Sequence, residues 1–417
     1  MNKNFLVISN NSFSATSNNG KTLESIFSSF NKENIFQLYF RNIENPDYFF
    51  CNNYIYASPF KLHYNPVTIF PKTNSNFKLI NFLNKLESYK YFIVDLIWSI
   101  SPINKNPILS FCKNKNISFV FFLGGPYKYS HDLAIFVSKN MQIPLFFYLT
   151  DDYLFSSFSS KRFFARFFYE RLINLYKNTI INSSQCFVIG EKMANDYSDF
   201  FNVDFKILIN SISIQEDFPI NQYQSKFVIS FFGSLHSNRD LMLKRFLTIV
   251  SSYFDHDLSK YEIRIFTSSV LNHQDYVFFK SFNIRFFPIV KGEEFLTKVL
   301  ESNYLLHLES DDFDSINKTR YSVSTKLPEY FSFKRLVIAF GPNCIASMEL
   351  IINYNLGLFL DSSSTDISLN EQLNSIFNKD SNIYSSIVEN AFLYSKKHFD
   401  KDKNSTNFKN IAYNKIS

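Results

Sequence analysis

Short apolar runs alternate with longer amphipathic segments along nearly all of the chain. This rhythm restricts the fold more than any other feature of the sequence. Runs over 5–9, 35–40, 91–98, 118–123, 144–149, 186–189 and 205–209 have the length and the β-branched or aromatic content of buried strands. Segments 20–30, 77–86, 131–140, 161–177 and 191–201 carry the spacing of amphipathic helices. Continuous apolar strands separated by helices are the pattern of a parallel sheet covered on both faces. Between 210 and 226 the rhythm lapses into a polar stretch with Pro219 and the acidic pair Glu216-Asp217, where a linker is expected. It then restarts, with strands expected over 227–232, 262–267, 283–288, 304–308, 336–340 and 356–360. Helices are expected over 241–253, 293–301, 325–332, 344–353, 369–378 and 383–398.

A chain of 417 residues with this doubled rhythm reads as α/β, with two Rossmann-like doubly wound domains facing a cleft. The first is expected over 1–212 and the second over 225–390. A C-terminal helix and polar tail over 391–417 are expected to pack back on the first domain. The chain holds 52 Phe and 25 Tyr against 8 Gly and one Trp, spread throughout, so a single aromatic residue says little about function. The net charge of +6 comes without a dense Lys/Arg block. A nucleic-acid partner is therefore not expected, whereas an anionic ligand or an anionic membrane surface fits. The four cysteines, Cys51, Cys112, Cys186 and Cys344, lie far apart and form no metal-like pair, so reduced and mostly buried thiols in a cytoplasmic protein are expected. The apolar run near Met1 is too short for a signal peptide, and no run approaches the ~18–20 residues that span a bilayer. Any membrane contact would be peripheral, at the inner face of the cytoplasmic membrane.

The densest chemistry lies in Ser322-Val323-Ser324-Thr325-Lys326-Leu327-Pro328-Glu329, followed by an apolar strand that ends in Gly341-Pro342. Ser324 or Thr325 suits a helix N-cap, and Lys326 places a positive charge beside it. Glu329, one turn on, offers a carboxylate to a ribose diol. Gly233-Ser234 leads from a strand into a turn containing Arg239, whose guanidinium can bind phosphate oxygens in pairs. Glu309 stands at the end of another strand and suits contact with a sugar. Asp312-x-Asp314, just beyond it, has the form of a metal-holding pair, but the spacing is common, and no metal or cofactor is expected beyond a nucleotide-diphosphate sugar as co-substrate.

In the first half, Gly20-Lys21-Thr22 lacks the earlier glycine of a phosphate loop, because position 15 is Ala15. Gly20 and Lys21 are expected to line an acceptor-side loop. Asp151 and Asp152 end a strand and, with His131, are the candidates for a catalytic base. The basic aromatic segment from Lys161 to Arg171 carries a stripe of Phe164, Phe168, Leu172 and Leu175, widened by Phe163 and Phe167. It suits either a core-packed helix or an anionic membrane surface. No Ser/His/Asp set, zinc cluster or Gly-x-Gly-x-x-Gly stands in the sequence, which argues against a serine hydrolase, a zinc enzyme and a standard NAD dehydrogenase.

The stretch Tyr321 to Tyr330, running on to Ala339-Phe340-Gly341-Pro342, resembles the donor-binding segment of bacterial GT-B fold glycosyltransferases, family 4-like (glycosyl transferases group 1). Phe232-Gly233-Ser234-Leu235 resembles the first loop of that family's donor domain, and Val188 to Met193 resembles a segment late in its first domain. The resemblance implies that Glu329 contacts the nucleotide ribose and that basic residues near Gly233 and Lys326 face the diphosphate. It further implies transfer of a sugar to a glycan or lipid-linked acceptor, in bacterial surface polysaccharide or glycoconjugate synthesis. A second glutamate common in the family falls at Tyr321 here, and Glu309 is the alternative for its role. Two other readings stay open: a non-catalytic nucleotide-sugar-binding partner subunit, and a sugar-nucleotide epimerase on the same fold.

Overall fold

The structure, a computed structural model, describes residues 3–14, 18–41, 46–58, 62–64, 87–100, 105–158, 165–214, 218–220, 226–377 and 381–416. The chain divides into two compact units. Met1–Ser211 with Lys401–Ser417 form the first, and Ile212–Asp400 form the second. In chain order the elements are β1 (Asn4–Asn11), α1 (Asn18–Ile26), β2 (Ile35–Arg41), β3 (Asn53–Ala57), β4 (Leu62–Tyr64), α2 (Glu87–Ile100), α3 (Lys105–Asn114), β5 (Ile117–Leu123) and α4 (Lys128–Met141). There follow β6 (Leu145–Leu149), α5 (Phe155–Phe158), α6 (Ala165–Ile181), β7 (Gln185–Val188), α7 (Glu191–Phe201) and β8 (Phe205–Ile207). The second unit runs through β9 (Phe227–Phe232), α8 (Arg239–Tyr253), β10 (Tyr261–Phe266), α9 (His273–Phe279), β11 (Ile284–Phe287), α10 (Gly292–Leu300) and β12 (Tyr304–Leu308). It continues with α11 (Phe313–Thr319), α12 (Leu327–Ser332), β13 (Leu336–Gly341), α13 (Ala346–Tyr354), β14 (Leu358–Asp361), α14 (Asp366–Phe377) and α15 (Ser381–His398). α16 (Lys401–Asn414) belongs to the first unit.

In the first unit the sheet order is β4-β3-β2-β1-β5-β6-β7-β8, parallel except for β4 against β3. Apart from Ser118, β5 and β6 are apolar along their length and almost wholly buried, as strands covered on both faces must be. Segment 91–98, expected as a strand, lies within helix α2. Its run is apolar nearly all round, so spacing alone could not tell a helix from a strand. β3, β4 and α3 escaped the sequence reading altogether; α3 carries Pro107 in its first turn, where a proline is tolerated. The expected helix over 77–86 and residues 161–164 of the basic aromatic segment lie outside the described residues.

The expected polar tail is instead α16. Its average composition is hydrophilic, but Phe408 is buried against Phe27, Phe30, Phe121, Phe146 and Phe187 at ring distances of 5.3–6.0 Å. Ser405, wholly buried, donates to the carbonyl of Ile26, and its hydroxyl accepts from the Ser29 backbone N–H. One aromatic anchor and one saturated hydroxyl are enough to dock a polar helix. On α6, Phe168, Leu172 and Leu175 are buried while Phe167 is exposed, and Arg171 turns inward to pair with Asp95 of α2. Cys51, Cys112 and Cys186 are buried, and burial pushes each thiol up to about 12; Cys344 is exposed.

The second unit is a six-stranded, wholly parallel sheet in the order β11-β10-β9-β12-β13-β14. The chain therefore starts at β9, winds outward to β11, and returns through β12 to wind the other way. Ligands of such sheets sit where that reversal opens a crevice, beyond the carboxyl ends of β9 and β12. One face is sealed by α8 and α14 through Leu243, Phe246, Leu247, Leu369 and Leu373. α9 and α11 were not anticipated, both being only seven residues long. No helix among the described residues is long and apolar enough to cross a membrane.

Candidate functional site

Beyond the ends of β9 and β12 lies a cavity of about 80 Å³, in the crevice that the strand order opens. Its lining includes Gly233, Ser234, Arg239, Glu309, Ser324 and Lys326, six of the residues singled out from the sequence, together with His307. Gly233 follows β9, and a Cβ there would lie 2.8 Å from Lys326 Nζ, so a larger residue would push the end of the lysine out of this place. Lys326 Nζ donates to the carbonyl of Phe232, which fixes the ammonium at the end of β9. Arg239 opens α8. Its Nε donates to the Leu308 carbonyl at 3.0 Å, and one terminal nitrogen donates to Glu309 at 2.7 Å.

Glu309 is 3 % exposed. Its backbone N–H donates to the carbonyl of Phe340, and Gly341 lies so close that a Cβ would stand 2.8 Å from the Glu309 carbonyl. The Gly-Pro end of β13 thus allows the approach that holds Glu309 in place. Burial pushes the Glu309 carboxyl up, while the charge and hydrogen bond of Arg239 pull against that rise. A buried carboxylate of this kind depends on its cation. His307 was missed in the sequence, where it stands among apolar residues as one more strand position. It is 6 % exposed, and its Nε2 lies 3.5 Å from Glu309 without a hydrogen-bond partner. Burial and then the charges of Arg239 and Lys326 push its imidazole down to about 3, so it is neutral at ordinary pH.

The helix expected at Ser324 or Thr325 begins later, at Leu327, with Lys326 in the capping position and no side-chain cap. α12 is six residues long, so its dipole adds little, and the cavity's positive charge comes from side chains. Ser324 accepts at its carbonyl from Leu327 N, closing a turn, while its own N–H donates to Ser347. Thr325 and Glu329 are half-buried beside the cavity's lining rather than in it. Tyr321 is buried. Asp312 caps α11 by accepting from the Ser315 N–H, and Ser310 and Asn238 also donate to it.

In the first unit the three candidates for a base differ. His131 is wholly buried on α4, with its ring nitrogens 2.7 Å from the Thr179 hydroxyl and 2.8 Å from the Gly125 carbonyl. Burial pushes it down to about 4, and neither nitrogen is left for a substrate. Asp152 accepts from the backbone N–H groups of Leu154, Phe155 and Ser156 and from the Tyr197 hydroxyl, which makes it the cap of α5. Asp151 alone stays exposed to solvent, with its carboxyl pushed up by the crowding of protein around it and by Asp152, against a hydrogen bond from Thr150. Gly20 is buried and Lys21 exposed, both within α1 rather than in a loop before it.

No family model matches the chain, and no curated protein matches it. Solved structures do. The trehalose-6-phosphate phosphatase N-terminal domain of Candida albicans aligns with a TM-score of 0.65 at 8 % identity, over 99 % of this chain and 97 % of its own. An α,α-trehalose-phosphate synthase (UDP-forming) from Burkholderia xenovorans, in complex with glucose-6-phosphate, aligns at 0.58 and 7 %, over 98 % of this chain and 100 % of its own. WaaG, a glycosyltransferase involved in lipopolysaccharide biosynthesis, aligns at 0.56 and 13 %, over 98 % of this chain and 99 % of its own. Likeness at such identities is likeness of fold, and it runs through both units. Two parallel-sheet Rossmann-like domains in this succession are the GT-B fold, and this chain has it.

Proposed function

We propose that the chain is a glycosyltransferase that moves a sugar from a nucleotide-diphosphate donor to a glycan or lipid-linked acceptor. The observation that carries this reading is the cavity at the reversal point of the second unit, where Arg239 and Lys326 converge on a space that admits one phosphate group. In the reaction, the bond from the anomeric carbon to the donor phosphate breaks, and a bond from that carbon to an acceptor hydroxyl oxygen forms. The electron pair of the broken bond leaves with the diphosphate, whose charge Arg239 and Lys326 offset. The proton of the acceptor hydroxyl passes to a base. Asp151, the one candidate still open to solvent, takes that role. Glu329 contacts the ribose from the mouth of the cavity, and no metal or cofactor enters the scheme. Synthesis of a bacterial surface polysaccharide is the setting that the resemblance of the 321–342 stretch supports.

A peripheral membrane contact has support from α2, where Phe92, Leu96, Ile97 and Ile100 are exposed together on one helix. Sedimentation with anionic vesicles tests it: Leu96→Glu with Ile100→Glu should abolish pelleting, and unchanged pelleting excludes that face. A binding-only partner subunit is favoured by one observation, that His131 and Asp152 are both spent on structural bonds. Thermal-shift screening against UDP, GDP, ADP and CMP fixes the donor class, and transfer of radiolabel from the matching nucleotide sugar separates the two readings. Binding without transfer or hydrolysis would establish the partner subunit.

A further inference from the structure

Buried polar atoms in folded proteins almost always have a hydrogen-bond partner, and one that lacks it calls for an explanation. His307 Nε2 is such an atom. It sits inside the charged cavity, on the central strand β12, and not at a surface where water would serve it. Its neighbours leave it no protein partner. From α8 comes Arg239, already donating to Leu308 and Glu309. From the start of α12 come Lys326, donating to Phe232, and Tyr330. Glu309 gives Oε2 to Arg239 and holds its other oxygen, Oε1, 3.5 Å from Nε2, at the outer limit of hydrogen-bond distance and with no bond formed. β9 offers Phe231 and Phe232, and β13 offers Ala339 in register with His307, none of them titratable.

The missing partner is therefore something that enters the cavity, and its chemistry follows from the donors already there. Two cations flank the imidazole, and one carboxylate offsets one of them, so the space carries an excess of positive charge. It suits an acceptor with several oxygens and negative charge. A third cation in so small a space would be repelled, whereas a neutral imidazole with its proton on Nε2 donates without adding charge. We propose that the Nε2–H of neutral His307 is the third donor, beside Arg239 and Lys326, to one phosphate group of a bound nucleotide-diphosphate sugar. This rests on the donor reading given above. His307 then contacts the substrate itself, and its neutrality makes donor binding indifferent to pH across the range where an ordinary histidine titrates.

Isothermal titration with UDP-glucose, UDP-N-acetylglucosamine, GDP-mannose and ADP-glucose, whose diphosphates carry no proton that titrates near neutrality, tests the assignment. The wild-type chain should bind one of them with the same affinity at pH 5.5 and pH 8. His307→Phe should weaken that binding by about tenfold, the usual worth of a hydrogen bond to a charged group. His307→Gln, which keeps a donor, should recover most of it. Nitrogen-15 spectra of the wild-type imidazoles give a readout independent of any variant. Among the neutral, Nε2-protonated rings at pH 7, which include His131, one should shift when the nucleotide sugar is added, and that signal should be absent from His307→Gln. Equal binding by all three proteins, a Gln variant as weak as the Phe variant, a wild-type affinity that follows an ordinary histidine titration, or an unmoved ring signal would each overturn the role of His307 while leaving the donor reading intact. Failure of the wild type to bind any of the four would overturn both.

Discussion

The two units share one winding but use its reversal point differently. In the second unit the crevice between β9 and β12 holds Arg239, Glu309, His307 and Lys326 around an open space. In the first, the equivalent place between β1 and β5 is neutral. Asn10 and Asn11 end β1, each with a buried amide oxygen lacking a partner, and Gly124-Gly125 follow β5 with room for a Cβ only 3.1 Å from Asn10 at Gly125. Of the nearby acidic and imidazole groups of the first unit, Asp152 caps a helix and His131 fills the core, while Asp151 stays exposed. The same scaffold thus concentrates charge at the strand ends of one unit, and amides and backbone at those of the other. Function here follows from which side chains stand at the strand ends, not from the sheet itself.

The contrast breaks most easily at Arg239. Arg239→Ala would leave Glu309 buried without its cation, and loss of one partner of a buried pair costs about 3–5 kcal/mol. Denaturant unfolding should show that loss in the second unit and little in the first. An unchanged midpoint would mean that the pair is not what holds the cavity's shape. Glu329→Ala comes next. If its carboxylate accepts from the ribose, nucleotide binding should weaken by about 1.5–3 kcal/mol. Equal binding by the variant would remove Glu329 from the site.

The legibility of the two units differs for the same reason. The strands of the second unit are bounded by chemistry that sequence displays directly: Gly233 where a lysine must pass, Gly341 where Glu309 must approach. Of the eight donor-site residues singled out from the sequence, six converge in one cavity. His307 was not readable, because only register and burial distinguish it from the apolar residues around it. In the first unit, His131 and Asp152 had the right residue types, one early in a helix and the other at a strand end. Their true work depends on Thr179, Gly125 and three backbone N–H groups, partners that no linear pattern reveals. Helix α2 was misread because an almost uniformly apolar run carries no period, and the polar tail is the helix α16 because a hydrophilic composition hides the buried Ser405, Phe408 and Ala412.

Asp152 sharpens that lesson. As a cap it should cost about 1–2 kcal/mol when replaced by alanine and much less when replaced by asparagine, which caps nearly as well. As a base it would tolerate neither. Turnover and unfolding of Asp152→Ala and Asp152→Asn, measured together, decide between them. Retained stability with lost transfer in the asparagine variant would restore Asp152 to catalysis.

The smallest expected effect is one of sign. His131 in the first unit and His307 in the second are held neutral by burial, at about 4 and about 3, below the ~6.5 of an unfolded histidine. Between those values the unfolded chain binds the extra proton, so each unit loses stability as pH falls through 6.5. The first unit also contains Glu24 on α1, pushed up to about 7 by burial, by a hydrogen bond to Asp47 and by the charge of Asp47, against Lys401 and Lys21. There the folded state binds the extra proton between 4.5 and 7, so this contribution is full below pH 4.5 and is lost as pH rises through 7. The two trends oppose each other in both units, but in the second Arg239 pulls against the rise of Glu309, whereas in the first Asp47 adds to that of Glu24. Raising pH from 5 to 8 should therefore stabilise the second unit more than the first. Glu24→Gln should close the gap by about 1 kcal/mol at pH 8, the shift being reduced by the solvent that reaches a half-buried group, and should change little at pH 5. Trp98, the chain's one tryptophan, lies buried in the first unit, so its fluorescence follows that unit alone, while circular dichroism follows both. If the tryptophan transition of Glu24→Gln shifts equally at both pH values, the Glu24–Asp47 pair carries no proton of its own and the pH contrast between the units has another origin.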